Sequence, residues 1–237
     1  FAIFYALFGI PLGRLADRLS RKRLLAIGLA LWSSMTALSG LARNGMMLSV
    51  ARIGVGIGEA TASPCAYSLI ADWFPRRMKA TALSIYSAGL FVGSGLSLIL
   101  GAAIVERWNA AYPDGGSLGL AGWQVAFLAV GLPGLALALW VLSLREPVRG
   151  AQDRPVEAEP VHPGREFLGQ LMLIVPPFTL WGAVQAGRRA LAINIAAAAV
   201  FGAGAWLAAS LTGGGGQFWF LAIGGYAVFS WASALRR

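Results

Sequence analysis

Apolar residues along this chain come in long runs, and short charged or turn-rich segments separate them. Residues 1–12 are apolar, residues 13–23 carry Arg14, Arg18, Arg21, Lys22 and Arg23, and residues 24–42 are apolar again. Further apolar runs cover 46–71, 80–104, 123–143, 190–211 and 218–235. Most approach or exceed the roughly 20 residues a helix needs to cross about 30 Å of hydrocarbon. None alternates with the two-residue period of a barrel strand, so the pattern predicts an all-α, polytopic transmembrane bundle. Between the runs lie a basic turn at 13–23, a short turn at 43–45, and Asp72-Trp73-Phe74-Pro75 before Arg76, Arg77 and Lys79. A loop rich in Gly, Asn, Pro and Asp follows at 106–122. Residues 145–166 turn to Pro, Glu, Arg and Asp, the composition of a flexible linker. Residues 167–184 are apolar but short and broken by Pro176 and Pro177, which favours an interfacial segment over a span. The expected organisation is a bundle over 1–147, a linker over 148–166, and an interfacial segment plus transmembrane hairpin over 167–237.

Charge orients these spans. Lys and Arg are retained on the cytoplasmic side of membrane helices, and the basic turn therefore belongs there. With that start, of the 19 Lys and Arg residues only Arg43 and Arg107 fall outside, and Arg52 falls within a span. The opposite threading would violate the retention rule throughout. Composition agrees: 57% of the 237 residues are hydrophobic and 12% are charged, about half the charged share of a globular chain. The net charge of +9 is confined to turns between spans, which points to topology and lipid headgroups and not to nucleic acid. The single cysteine, Cys65, excludes an internal disulfide or a cysteine metal cluster. The chain opens on Phe1 within apolar sequence, without an initiator Met, and is read as a fragment beginning inside a helix.

Two charged residues lie inside an apolar run. A charge at the middle of a membrane helix costs roughly 2.5–3.5 kcal/mol on insertion scales, and such a charge usually faces a partner or a water-filled cavity. Arg52 and Glu59 are seven residues apart, which places them about two turns apart on nearly one face. Arg52 lies close enough to the end of its span to snorkel outward instead; Glu59 is more central. Gly54, Gly56 and Gly58 between them allow neighbouring helices to approach closely, as do Gly89 and Gly93 further on.

The string Gly13, Leu15, Ala16, Asp17, Arg18, Ser20, Arg21, Lys22 resembles the loop between the second and third helices of the major facilitator superfamily of transporters. Arg52, Val55, Gly56 and Gly58 resemble that family's fourth-helix motif. The longer run from Arg52 to Ala60, followed by Tyr67, Ser68, Leu69, Ile70, Ala71, Asp72, Trp73 and Phe74, is similar to its spinster-like branch. The resemblance implies the superfamily fold, with 1–147 as helices two to six. It implies a proton-coupled secondary transporter of a small amphiphilic or lipid-like solute, set in a bacterial cytoplasmic membrane. Its partners would be protons, membrane lipids, the solute and the carboxy-terminal half of the same transporter, with no cofactor or metal. Carried over by position, Gly13, Asp17, Arg18, Arg21, Lys22 and Asp72 make up the inner gating motif, in which Asp17, Arg21 and Asp72 would form the charge network that latches the two halves. Arg52 and Glu59 form the proton-linked pair, and Tyr67, Ser84 and Ser87 line the substrate path. No second copy of the basic motif follows the linker, so the 190–235 hairpin is either an insertion between the halves, the favoured reading, or the start of the second half.

Rival classes leave weaker traces. A drug antiporter of this superfamily has a Gly-Pro pair in its fifth helix, which is missing here. A membrane-embedded lipid enzyme would gather nucleophile, acid or metal ligands at one depth. The only such pattern, Gly115-Gly116-Ser117-Leu118-Gly119, lies in the outer loop, and the single histidine, His162, lies in the linker on the other side. A simple membrane anchor would not need Arg52 and Glu59 on one face.

Overall fold

A computed structural model describes residues 2–113, 115–116, 119–150, 163–174, 178–213 and 217–235. They form ten helices and no strand. These are α1 (Ala2–Arg18), α2 (Arg21–Gly40), α3 (Gly45–Glu59), α4 (Ala62–Trp73), α5 (Arg76–Ala111), α6 (Gly122–Ser143), α7 (Pro163–Ile174), α8 (Phe178–Gln185), α9 (Arg188–Thr212) and α10 (Gln217–Leu235). Helices α5, α6 and α9 are long and apolar enough to cross a membrane. The chain divides into two compact units, one of residues 16–159 and one of residues 2–15 with 160–237.

In the first unit α2 is the central helix, packed along α3, α4 and α6. Small residues set how closely it can be approached. A Cβ on Gly58 would lie 2.8 Å from the Trp32 amide nitrogen and 2.9 Å from the Gly28 carbonyl oxygen, and one on Gly28 would overlap Thr61. On the α6 side, a Cβ on Gly131 would lie 2.9 Å from the Ser33 carbonyl oxygen. Backbone-to-backbone contact of this kind is how membrane helices gain dispersion energy without a hydrophobic drive. Gly131 and Gly134 were not singled out from the sequence.

In the second unit, α9 and α10 pack along one another, with Phe201 against Gly225. Gly213 ends α9 in the left-handed conformation at φ 64°, as a helix C-cap favours. Leu7 of α1 packs on Ala227 of α10. The Thr179 hydroxyl donates to the Tyr226 hydroxyl across 3.1 Å, both side chains being buried.

Four elements differ from the sequence reading. The basic turn shrinks to Leu19–Ser20, because α1 continues through Gly13, Asp17 and Arg18. Arg and Leu are good helix formers, and cations suit a helix C-terminus. The run at 46–71 is not one helix: it breaks at Ala60–Thr61 into α3 and α4. Pro64 has no N–H for the Ala60 carbonyl, and the Thr61 hydroxyl donates instead to the Gly58 carbonyl at 2.9 Å. Helix α5 continues to Ala111, through residues placed in the outer loop. Its extension is tied back by Trp108 Nε1 donating to the Leu120 carbonyl at 2.8 Å and by the Gly122 amide donating to Asn109 Oδ1 at 3.0 Å. Finally, residues 148–150, the start of the expected linker, pack on the first unit, and α7 begins already at Pro163, a favoured first helical residue. Residues 151–162, His162 among them, together with Ser117, Leu118, Pro176 and Pro177, lie outside the described residues.

Candidate gating site at the basic turn

The α1–α2 turn has two helix ends to satisfy, and both are met by the segment leaving α6. Ser20 caps α2, its Oγ accepting from the Arg23 amide at 3.3 Å. The same hydroxyl donates to Glu146, and the other carboxylate oxygen accepts from the Arg21 amide at 2.7 Å. An anion thus sits on the positive end of the α2 dipole. Three residues later Arg149 donates through Nη2 to the carbonyls of Ala16, at 2.6 Å, and Leu19, placing a cation at the end of α1.

Arg21 lies inside this arrangement and is 1% exposed. Its Nη1 donates to Asp72 and, at 2.9 Å, to Ser68 Oγ; Nη2 donates to the Pro147 carbonyl at 3.1 Å. Nε lies 3.5 Å from Glu146 Oε1, a charge contact longer than a hydrogen bond. Asp72 also accepts from the Gly150 amide at 3.1 Å. One buried guanidinium therefore joins the start of α2, the end of α4 and the exit of α6. A buried cation left unpaired is strongly destabilising, so these three elements hold together or separate with a large penalty. The site's own electrostatics agree. Burial pulls the Glu146 carboxyl upward, yet the Ser20 hydroxyl, the Arg21 amide and the Arg21 charge together bring it below the ordinary carboxylate range. Burial and the neighbouring Arg21 charge lower the Arg149 guanidinium.

The sequence candidates distribute unevenly about this clamp. Arg21 and Asp72 are brought together. Asp17 is exposed, and its field acts on Arg149. Gly13 and Arg18 lie on α1, and Lys22 lies beside the clamp without joining it. All the clamp partners belong to the first unit. Glu146, Arg149, Ser20 and Ser68 were missed as partners; Glu146 and Arg21 are 125 residues apart, so no local spacing announces them.

The second candidate group lies on α3. Arg52 is half-buried and donates to Ser39 Oγ of α2 at 3.1 Å through Nη2 and 3.3 Å through Nε. Its guanidinium lies 4.8 Å from the ring centroid of Phe127 on α6, a cation–π distance. Arg52 therefore faces its neighbouring helices, and it senses the half-buried Glu59 electrostatically, without an ion pair among the described residues. Of the helix-packing glycines, Gly54 meets Met35, with Sδ 2.8 Å from where a Cβ would be, Gly56 is buried, and Gly58 meets α2 as above. Gly89 and Gly93 face open space, with no described atom within 4 Å of a Cβ, since α5 has no buried residue. Tyr67 stands edge-on to Tyr86 at 5.4 Å between centroids. Ser84 folds back to the Ala80 carbonyl at 2.9 Å, and Ser87 is half-buried on α5.

The Major Facilitator Superfamily profile matches residues 1–236. The chain belongs to the major facilitator superfamily. Among its relatives, human protein spinster homolog 1 is 34% identical over 163 residues, 67% of this chain and 28% of that protein. A probable L-galactonate transporter of Escherichia coli is 30% identical over 61% of this chain and 29% of its own length. The crystal structure of a bacterial homolog of the human lysosomal transporter spinster, inward-facing and unoccupied, matches with a TM-score of 0.58 at 27% identity. That match covers 98% of this chain and 64% of the other. This superfamily member resembles the spinster branch, is an integral multi-pass membrane protein, and has transporters as relatives. It spans less than a third of the curated relatives' length.

Proposed function

We propose that this chain is part of a secondary transporter that moves a small amphiphilic or lipid-like solute across a bacterial cytoplasmic membrane by alternating access, coupled to protons. The observation that carries the reading is the buried Arg21, held by Asp72, Ser68, Pro147 and Glu146 at one end of the α2–α4–α6 group. Rocking one helical group against another requires each group to move as a body, and this fastening makes a body of helices that would otherwise splay at their ends. Membership of the superfamily supports transport, and the similarity to spinster proteins favours an amphiphilic solute.

The coupling part is assigned to Glu59, with Arg52 as its electrostatic neighbour. A carboxyl at this depth changes protonation as the water-filled cavity opens to one side or the other. The test is solute-evoked proton flux in proteoliposomes loaded with a pH-sensitive dye, with lysolipids, sphingoid bases and common drugs added in turn. Flux evoked by one compound and lost in Glu59→Gln, with expression and folding unchanged, is the expected result. Full coupled flux in Glu59→Gln would sink the assignment, and transport without proton movement would identify a uniporter.

A further inference from the structure

Beside the clamp, within the first unit, lies a groove of about 270 Å³. Leu25 of α2, Leu69 of α4 and Leu144 after α6 form its apolar walls; Trp73, the last residue of α4, stands at it half exposed. Two cations line it, Lys22 at the second residue of α2 and Arg145 two residues beyond α6. Their neighbours in sequence, Arg21 and Glu146, are engaged inside the clamp. Lys22 and Arg145 form no hydrogen bond or ion pair with any described residue.

We propose that this groove seats the headgroup and first chain segment of an anionic phospholipid from the leaflet on the cation-rich side. The chemistry divides as such a lipid does. A phosphodiester accepts from Lys22 and Arg145, the Trp73 ring lies at the headgroup level where indoles concentrate, and the acyl chain runs over the leucines. Basic pockets between membrane helices on that side hold anionic headgroups. A free phosphate would leave the leucine walls unmatched, and a zwitterionic lipid would bring a third cation to the two present. The occupant touches the same three elements that Arg21 joins, so a bound lipid adds to the fastening from outside. The inference requires only that the protein lies in a membrane and is independent of what is transported.

The test is native mass spectrometry of the intact protein released from vesicles, comparing phosphatidylglycerol with phosphatidylcholine of identical chains. One retained phosphatidylglycerol per protein is expected, with binding about thirtyfold weaker in the Lys22→Gln/Arg145→Gln double variant and about fivefold weaker in either single variant. The charge-matched Arg43→Gln/Arg107→Gln variant, altered at the other side, should bind as the unaltered protein does. The single variants carry the test if the double variant does not fold. Equal retention of phosphatidylcholine, or unchanged retention in both single variants, would overturn the proposal. Displacement of the lipid by millimolar inorganic phosphate would overturn it too, in favour of a free-anion site.

Discussion

Arg21 is a cation with almost no water, and its environment has to replace that water. Ser68 and Asp72 of α4 and the Glu146–Pro147 segment after α6 supply most of that replacement, Nε being left with a charge contact alone, and the carboxylate of Glu146 acts twice, neutralising the guanidinium and capping α2. The pH dependence follows with a definite sign. The Glu146 carboxyl is depressed in the folded protein, so its contribution is present above the unfolded value of about 4.3 and fades as pH falls through the lower native value. The melting-temperature difference between the unaltered protein and Glu146→Gln, measured in detergent, should be constant from about pH 8 to about pH 5 and shrink in more acid solution. A difference that instead vanished on going from pH 5 to pH 8 would show that the carboxylate is not held ionised. Arg21 and Asp72 could be named in advance because the turn and the end of α4 carry recurrent residue patterns. Glu146 and Arg149 could not, since both stand in a Pro-rich, charged stretch whose composition reads as solvated and whose partners lie more than a hundred residues earlier.

Between helices, glycine does two different things in this protein. Gly28 and Gly58 lie where α2 and α3 touch backbone to backbone, whereas Gly93 on α5 faces open space. Gly28→Ala forces a methyl against Thr61 and the Gly58 carbonyl and should cost about 1–3 kcal/mol. Gly93→Ala should change stability by no more than about 0.5 kcal/mol. Thermal unfolding of the two variants in the same detergent checks the pair, and equal effects would remove the distinction. Hydropathy located the helices because burial in lipid demands long apolar runs. It could not locate the break at Ala60–Thr61, because Pro64 and three nearby glycines leave the run apolar while disturbing its hydrogen bonds. Nor could it show how far α5 extends: 36 residues are about 54 Å of helix, well beyond the roughly 30 Å of hydrocarbon, and the excess is polar enough to read as a loop.

For the molecule as a whole, the all-α membrane bundle and the superfamily were readable from run lengths, cation placement and two motifs, and the profile match agrees. Cys65 is the only cysteine and is fully buried, so in a Cys65→Ala background, single cysteines report sidedness cleanly. Arg43→Cys should react with a membrane-impermeant maleimide added to intact cells, and Arg23→Cys only after the cells are opened. The reverse pattern would invert the orientation of every span.

The central claim is that Arg21 and Glu146 act as one clamp across the unit. A double-mutant cycle measures this directly, using the unfolding free energies of Arg21→Gln, Glu146→Gln and the combined variant in one detergent at pH 7. The account predicts non-additivity of about 0.5–3 kcal/mol, with the combined variant less damaged than the two single losses together. Additive losses would mean that the two residues do not depend on one another, and the clamp would have to be abandoned as the organising feature of this protein.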